Sequence, residues 1–380
     1  MTPIRVLQVF TTMGRGGAES MIMNYYRNID RTKVQFDFLV HRQERAAFDD
    51  EIEQMGGVIY RMPAINPINP KKYYKALRAF FNTHNTYKIV HSHLNTFSTF
   101  PLKIAEEYKI PTRIAHAHIA MDPITLKHTL KSIPNTIEAL KKVVKLYVKR
   151  TIHKHTTHSF ACGKKAGTWL YGKNAQFHIM NNAISAGNFA YDIDKESEFK
   201  KNFNIQDKIV LGHIGRFTHQ KNHTFLIDIL ADVLVSNKNY VLVLIGDGPL
   251  MQNIIEKAKK LHIFDQILFL GLKTNISELI QMIDVFVFPS LYEGLPVTLV
   301  EAQAAGLKIL ASNNITEEVK LTKDIQFLPI TEGTTPWVNA LLKLGKITKN
   351  KNFDKIVAGN YDIINNSNEI QDFYLTQNKL

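Results

Sequence analysis

Residues 286–310 read FVFPSLYEGLPVTLVEAQAAGLKIL. An apolar run ends at Phe288, Pro289 and Ser290 begin a turn, and Gly294 permits an unusual backbone geometry. Pro296 suits the first position of a helix, whose small residues AQAAG favour close packing before the next apolar run, KIL. Strand, turn, helix, strand without polar alternation is the pattern of a parallel sheet buried on both faces. Such a helix aims free N–H groups and partial positive charge past the sheet's carboxyl edge, which makes an anion site with phosphate as its usual occupant. Glu293 and, eight residues later, Glu301 flank that helix start. Carboxylates repel phosphate, so their targets are neutral hydroxyls, as on ribose or a hexose. Phosphate plus hydroxyls in one pocket describes a nucleotide sugar; two solvated glutamates are the plainer alternative.

The same alternation extends in both directions. Apolar runs at 4–10, 34–40, 87–91, 112–116 and 158–162, with helical stretches around 18–29, 72–83 and 96–108, form one series. Runs at 208–217, 240–246, 266–271, 284–290 and 308–312, with helices at 222–235, 249–261, 275–282 and 296–306, form a second. The expected fold is α/β, with two Rossmann-like doubly wound parallel-sheet domains facing across a cleft where ligands bind. The expected domains are residues 1–182, residues 183–355, and a tail at 356–380 that is a possible helix returning to the N-terminal domain. TPWVNALLKL reads as helical, and the Asn/Lys-rich end resists assignment.

Composition narrows the function. The apolar fraction of 45% and charged fraction of 21% are those of a globular protein. The single cysteine, Cys162, excludes a disulfide framework and fits a reducing compartment. MTPIRVLQVF lacks a signal-peptide layout, and no apolar run approaches the ~20 residues that span a bilayer, so a cytoplasmic, at most peripheral, protein is expected. An excess of 47 Lys+Arg over 34 Asp+Glu gives +13 and favours an anionic partner. No zinc-ligand spacing or aromatic-studded basic stripe supports nucleic acid. The basic segment 136–155 places Ile137, Leu140, Val144, Tyr147 and Val148 on one helical face and Lys141, Lys142, Lys145, Lys149 and Arg150 on the rest. It reads as a core helix with a solvated back or as a helix against anionic lipid.

Three glycine-bearing turns add to the site. VFTTMGRGGAES, residues 9–20, follows a strand, but Glu19 stands where a dinucleotide fingerprint needs a third glycine. GHIGRFTHQKNH, residues 212–223, leaves a strand with Arg216 and Lys221, a pair suited to clamp a diphosphate. LIGDGPL, residues 244–250, sets Asp247 and Gly248 before a helix.

GGAE (16–19), IGRF…K (214–221), IGDGP (245–249), FLG (269–271) and PSLYEGLPVTLVEAQAAG (289–306) together resemble the retaining glycosyltransferases of family 4, nearly throughout the chain to about residue 330. RIAHAH and FACGKKAGTWLYG are most similar to bacterial exopolysaccharide and capsule members. The resemblance implies the GT-B fold and transfer from a nucleoside-diphosphate sugar, UDP-sugar first among them, to a lipid-linked acceptor. It implies that Arg216 and Lys221 balance the donor diphosphate, that Glu301 binds ribose hydroxyls and that Glu293 faces the donor sugar. Amides around Leu295, Pro296, Val297 and Thr298, next to Gly294, would hold phosphate, with Gly248 in the adjoining turn. The segment at Gly271 and Lys273 would meet the base, and Gly16 and Gly17 would let the donor approach because a Cβ there would crowd the reaction centre.

One of His116 and His118 matches a histidine that touches the donor sugar, and His118 is favoured. With His91 and His93 they form two HxH pairs; strand-end cleft or core residues are the favoured reading over a metal site, and no metal or other cofactor is expected. The loop 119–135 suits an acceptor carried on a lipid diphosphate. Two alternatives stay open. One is a GT-B sugar-nucleotide epimerase, which converts donor without acceptor; the other is a non-catalytic nucleotide-sugar-binding partner of another transferase.

Overall fold

A computed structural model describes residues 2–119, 136–345 and 347–379, with the side chains of 136–143 outside that description. The loop expected at 119–135 lies, apart from Ile119, outside the described residues. The chain divides into two compact units, Met1–Ala183 with Ile363–Leu380, and Ile184–Asp362.

In the first unit, strands β1 (Ile4–Phe10), β2 (Val34–Val40), β3 (Ile59–Arg61), β4 (Ile89–Ser92), β5 (Thr112–Ala117), β6 (His158–Ala161) and β7 (His178–Ile179) pair in parallel in the order β3-β2-β1-β4-β5-β6-β7. In the second, β8 (Ile209–Ile214), β9 (Tyr240–Ile245), β10 (Ile267–Gly271), β11 (Val285–Phe288), β12 (Lys308–Ser312) and β13 (Ile325–Leu328) pair in parallel in the order β10-β9-β8-β11-β12-β13. Each sheet reverses its winding once, between β1 and β4 and between β8 and β11. Loops diverging there leave a crevice at the carboxyl ends of the strands.

Both faces of each sheet are covered, as the unbroken apolar runs require. On β1, Leu7 and Val9 enter one core while Val6 and Phe10 enter the other. The helix Lys71–Thr83 buries Tyr73, Leu77, Phe80 and Phe81, a stripe at helical spacing. The helix Ile363–Gln377 packs against the helix Gly17–Asn28 and places Ile363, Ile370 and Tyr374 in the core of the first unit. The helix Phe353–Ala358 stays in the second, where Ile356 packs with Val300 and Ala304. The sequence pattern sets the joins at 182/183 and 355/356, whereas the units divide after Ala183 and after Asp362.

Three features depart from the sequence pattern. β3 and β13 are short edge strands without a long apolar run, and β13 has an exposed and a half-buried residue between its buried ends. Pro296 caps its helix from outside, and the helix begins at Val297. In the helix Thr136–His155, Val148 and Ile152 are buried but Tyr147 is 68% exposed, so the apolar face is narrower than the spacing predicts.

A charge lies inside the first unit. Asp37, in the middle of β2, is fully buried and accepts from Arg5 Nε at 2.6 Å, Tyr87 Oη at 2.6 Å and the Val58 amide at 2.8 Å. Those donors lose their acceptor together if the carboxylate is removed, so Asp37→Ala is expected to lower stability by ~2 kcal/mol or more. A matching drop in the urea midpoint of the first unit checks this.

Candidate functional site

The second unit's crevice is built by the loops that leave β8 and β11. Gly215 leaves space for the stem of Lys221, whose Cε would lie 3.2 Å from a Cβ there. Lys221 Nζ then reaches Glu293 Oε1 at 2.7 Å while lying 4.7 Å above the Phe288 ring. Gln220 Nε2 donates to the other carboxylate oxygen, Oε2, at 3.0 Å and to the Tyr292 carbonyl at 3.0 Å. The Leu291 amide donates to the Gln220 carbonyl at 2.8 Å, and Asn222 Nδ2 donates to the Pro289 carbonyl at 3.3 Å. Two loops distant in sequence are thereby one rigid piece. Lys221 and Glu293, singled out separately from sequence, are each other's partners.

That pairing leaves Arg216 as the uncompensated cation. Its side chain is exposed and makes no hydrogen bond or ion pair among the described residues. Nearby, the helix Val297–Ala304 begins with Pro296 as N-cap and has no side-chain cap. The Val297 and Thr298 amides have no acceptor among the described residues, so this helix end presents free donors and positive partial charge. Gly294 is exposed in the turn that precedes it, and Leu295 is half-buried.

Glu301 lies one turn into the helix, following Thr298 at three-residue spacing. Its carboxyl has no hydrogen-bond partner among the described residues, and desolvation pushes it up to about 7. The residue as a whole stays partly accessible, so its carboxyl is open to hydrogen-bond donors from outside the chain.

Of the remaining expected residues, Gly248 lies against the β8 loop and the others follow or end other strands. A Cβ on Gly248 would stand 2.6 Å from the Phe217 carbonyl oxygen, so this glycine serves the close packing of the β9 turn on the β8 loop. Gly271, with φ +68°, ends β10 and the exposed Lys273 follows it; β10 is an edge strand separated from β8 by β9.

In the first unit, Gly16 and Gly17 follow β1. A Cβ on Gly16 would meet Glu19 Oε2 at 2.2 Å, whereas one on Gly17 would have nothing within 4 Å. Crowding at Gly16 therefore arises from the chain's own carboxylate, and within this unit Gly17 faces open space. Of the two histidines at the end of β5, His116 is fully buried and His118 is partly accessible. The His118 amide donates to Asn95 Oδ1 at 2.7 Å, and its ring Nε2 lies 2.9 Å from His93 Nδ1. Desolvation pushes the imidazole down to about 3, so it is neutral.

His91, His93 and His116 bring potential ligand atoms within 4.8 Å of one another. Those nitrogens are engaged in hydrogen bonds with one another and with Tyr374, Gln8 and His118, except His116 Nε2, which has no partner among the described residues. The arrangement is that of a hydrogen-bonded chain. Gln8 and Tyr374 belong to this chain of hydrogen bonds, and sequence reasoning does not single them out; the signal for Gln8 is a lone amide inside the apolar run IRVLQVF. Gln220 carries no signal beyond its place in a polar loop.

Residues 194–324 match the family described as glycosyl transferases group 1. The chain is 36% identical over 345 residues to EpsF of Bacillus subtilis (strain 168), named as a glycosyltransferase, covering 89% of this chain and 87% of that protein. It is 25% identical over 300 residues to an Escherichia coli enzyme, covering 76% of this chain and 75% of that one. That enzyme is named UDP-Gal:alpha-D-GlcNAc-diphosphoundecaprenol alpha-1,3-galactosyltransferase. Among solved structures, HepE of Anabaena, in complex with UDP and glucose, superposes with a TM-score of 0.75 at 15% identity, covering 98% of this chain and all of that one. The chain belongs to the group 1 glycosyl transferases and has the GT-B fold. It is a glycosyltransferase.

Two substitutions probe the site. Gly17→Ala places its methyl in open space at a helix start, where alanine is preferred to glycine. Its melting temperature is expected to match or exceed that of the natural chain, so any loss of turnover reports a substrate approaching the turn. Glu301 takes up a proton more readily folded, at about 7, than at its ordinary value of 4.5, so its contribution to stability falls as pH rises through that window. Glu301→Gln is expected to melt higher than the natural chain at pH 8, with the gap closing by pH 5, as read by thermal scans across pH.

Proposed function

We propose that this enzyme transfers a sugar from a UDP-sugar to a hydroxyl of a lipid-linked glycan, with retention of anomeric configuration, in surface-polysaccharide assembly. The observation that carries the reading is the joint placing, at the ends of β8 and β11, of an unpaired Arg216, the Lys221–Glu293 pair and an uncapped helix start. The HepE structure with UDP and the E. coli enzyme's named UDP-Gal donor and diphosphoundecaprenol-linked acceptor support the substrate classes.

In this reading the donor pyrophosphate takes Arg216 as a bidentate partner, Lys221 as a point charge, and the Val297 and Thr298 amides as fixed donors. These groups are in place before the glycosidic bond lengthens, so they stabilise the charge that develops on the departing phosphate. Lys221 is held by Glu293 at a defined position, and Glu293 faces the transferred sugar. Glu301 accepts hydrogen bonds from the ribose hydroxyls, which supply the donors its carboxyl lacks. Gly271 and Lys273 are assigned to the base. His118 and the Gly16–Gly17 turn are assigned to the transferred sugar. The acceptor hydroxyl attacks from the face the phosphate leaves and gives its proton to that phosphate, so no nucleophilic carboxylate is required. The cations do the work of a divalent metal, and turnover is expected to persist in EDTA.

A panel of nucleotide sugars, read by thermal shift and by UDP release with an undecaprenyl-diphosphate-sugar acceptor, tests the reading. At least one UDP-sugar is expected to stabilise the enzyme. Arg216→Ala, which removes no side-chain hydrogen bond or ion pair among the described residues, is expected to lower turnover about 100-fold or more with an unchanged melting temperature. Full turnover in that variant overturns the scheme.

No helix among the described residues is long and apolar enough to cross a membrane. The reading places contact with an anionic membrane surface on the helix Thr136–His155. Lys145 and Lys149 are partly desolvated, and Lys149 Nζ lies 4.5 Å above the Trp169 ring. The outward residues are Leu146, 37% exposed, and Tyr147, with Arg150, His153 and Lys154 beside them. Two apolar side chains among basic ones are the composition of a headgroup-binding face. The protein is expected to co-sediment with phosphatidylglycerol vesicles, and the double change Arg150→Glu and Lys154→Glu is expected to release it.

A further inference from the structure

A row of polar side chains crosses one face of the first sheet. On β1, Gln8 lies between Val6 and Phe10, and its backbone pairs in register with His91 on β4. Period-two alternation carries the row to His93 beyond β4 and to His116 and His118 at the end of β5. The helix Ile363–Gln377 lays Tyr374 against the same face. Among these, Gln8, His91, His93 and His116 are buried, and Tyr374 has no exposed surface.

We infer that Gln8 and Tyr374 are positioning residues that fix His118 in one tautomer, with the proton on Nε2 and Nδ1 presented as a hydrogen-bond acceptor. The assignment starts from Tyr374. Its hydroxyl is 2.7 Å from His91 Nδ1 and 3.4 Å from Gln8 Nε2, and a hydroxyl proton belongs on the short contact. The hydroxyl oxygen facing Gln8 is then an acceptor, and Gln8 turns its amide N–H toward it. That leaves Gln8 Oε1 for His93 Nε2 at 2.9 Å, so His93 carries its proton on Nε2 and its Nδ1 is a bare acceptor. His118 Nε2, 2.9 Å away, must donate to it. His118 Nδ1 makes no hydrogen bond among the described residues and is left as the acceptor.

The same logic runs along the other branch. His91, accepting at Nδ1, donates from Nε2 to His116 Nδ1 at 3.1 Å, and the branch ends at the unpartnered His116 Nε2. Neutral rings are required throughout, and desolvation drives His91, His93, His116 and His118 below their ordinary value. Reversing the Gln8 amide would reverse the proton on each imidazole. The short Tyr374 contact opposes that reversal from a helix 283 residues away in sequence from His91.

This inference rests on the proposed contact between His118 and the transferred sugar, and it adds that the imidazole accepts from a sugar hydroxyl there. Long-range ¹H–¹⁵N correlation of the histidine rings in the full-length protein reads the tautomers directly. The natural chain is expected to show His118 protonated at Nε2 alone. Gln8→Met, which keeps the volume but has no acceptor, is expected to show both tautomers and about tenfold lower kcat, with little change in donor KM. Tyr374→Phe keeps the buried ring and is expected to shift the tautomers the same way. A proton on Nδ1 in the natural chain, or an undisturbed Nε2 proton in both variants, overturns the inference. Natural turnover in His118→Ala overturns instead the sugar contact, and the ring spectra then decide the tautomer by themselves.

Discussion

The 2.7 Å contact between Lys221 and Glu293 joins two loops that leave neighbouring strands 72 residues apart in the chain. Its value is geometric. A partly buried ion pair contributes little net stability once desolvation is counted, yet it fixes both partners in place. Gln220 closes the second carboxylate oxygen, and backbone bonds between the loops complete the brace. Because the pair is nearly neutral, the local field is left to Arg216 and to the amides at Val297 and Thr298. The crevice thus has a rigid wall and a free positive charge beside it.

Much of the fold is legible because buried parallel strands are continuous apolar runs. β1, β2 and β12 span the residues that hydropathy alone assigns them. β3 and β13 are not legible: a strand of three or four residues at a sheet edge has neither the length nor the full burial that produces the pattern. The basic helix shows a different limit. Its spacing puts Tyr147 with the apolar face, but only the neighbours of Val148 and Ile152 determine how wide the buried stripe is.

The candidate site divides in the same way. Residue types and turns reveal Arg216, Lys221, Glu293 and Glu301, since packing alone seldom puts glycine, proline and charge together where buried strands end. The ion pair between two of them is a long-range contact that no local pattern encodes. Gly248 illustrates the converse case. Its turn reads as a ligand contact, and the structure adds a packing reason for the glycine: its missing Cβ makes room for the carbonyl of Phe217, the residue after Arg216. Gln8 needs the register Gln8↔His91 before a single amide in an apolar strand acquires a purpose.

The candidate groups of the two units differ in their electrostatics. The second holds the largely buried pair Lys221–Glu293 and leaves Arg216 exposed to solvent. The first buries a line of neutral imidazoles, whose polarity is set by hydrogen bonds because burial has removed their charge. Glu301 is an acid in the second unit whose carboxyl desolvation pushes up to about 7. A folded protein gains nothing from such a carboxyl in isolation. Glu301 stands out in a helix otherwise made of Val, Thr, Leu, Ala and a Gln303 that donates to the Leu299 and Val319 carbonyls, which makes it a candidate for a ligand contact.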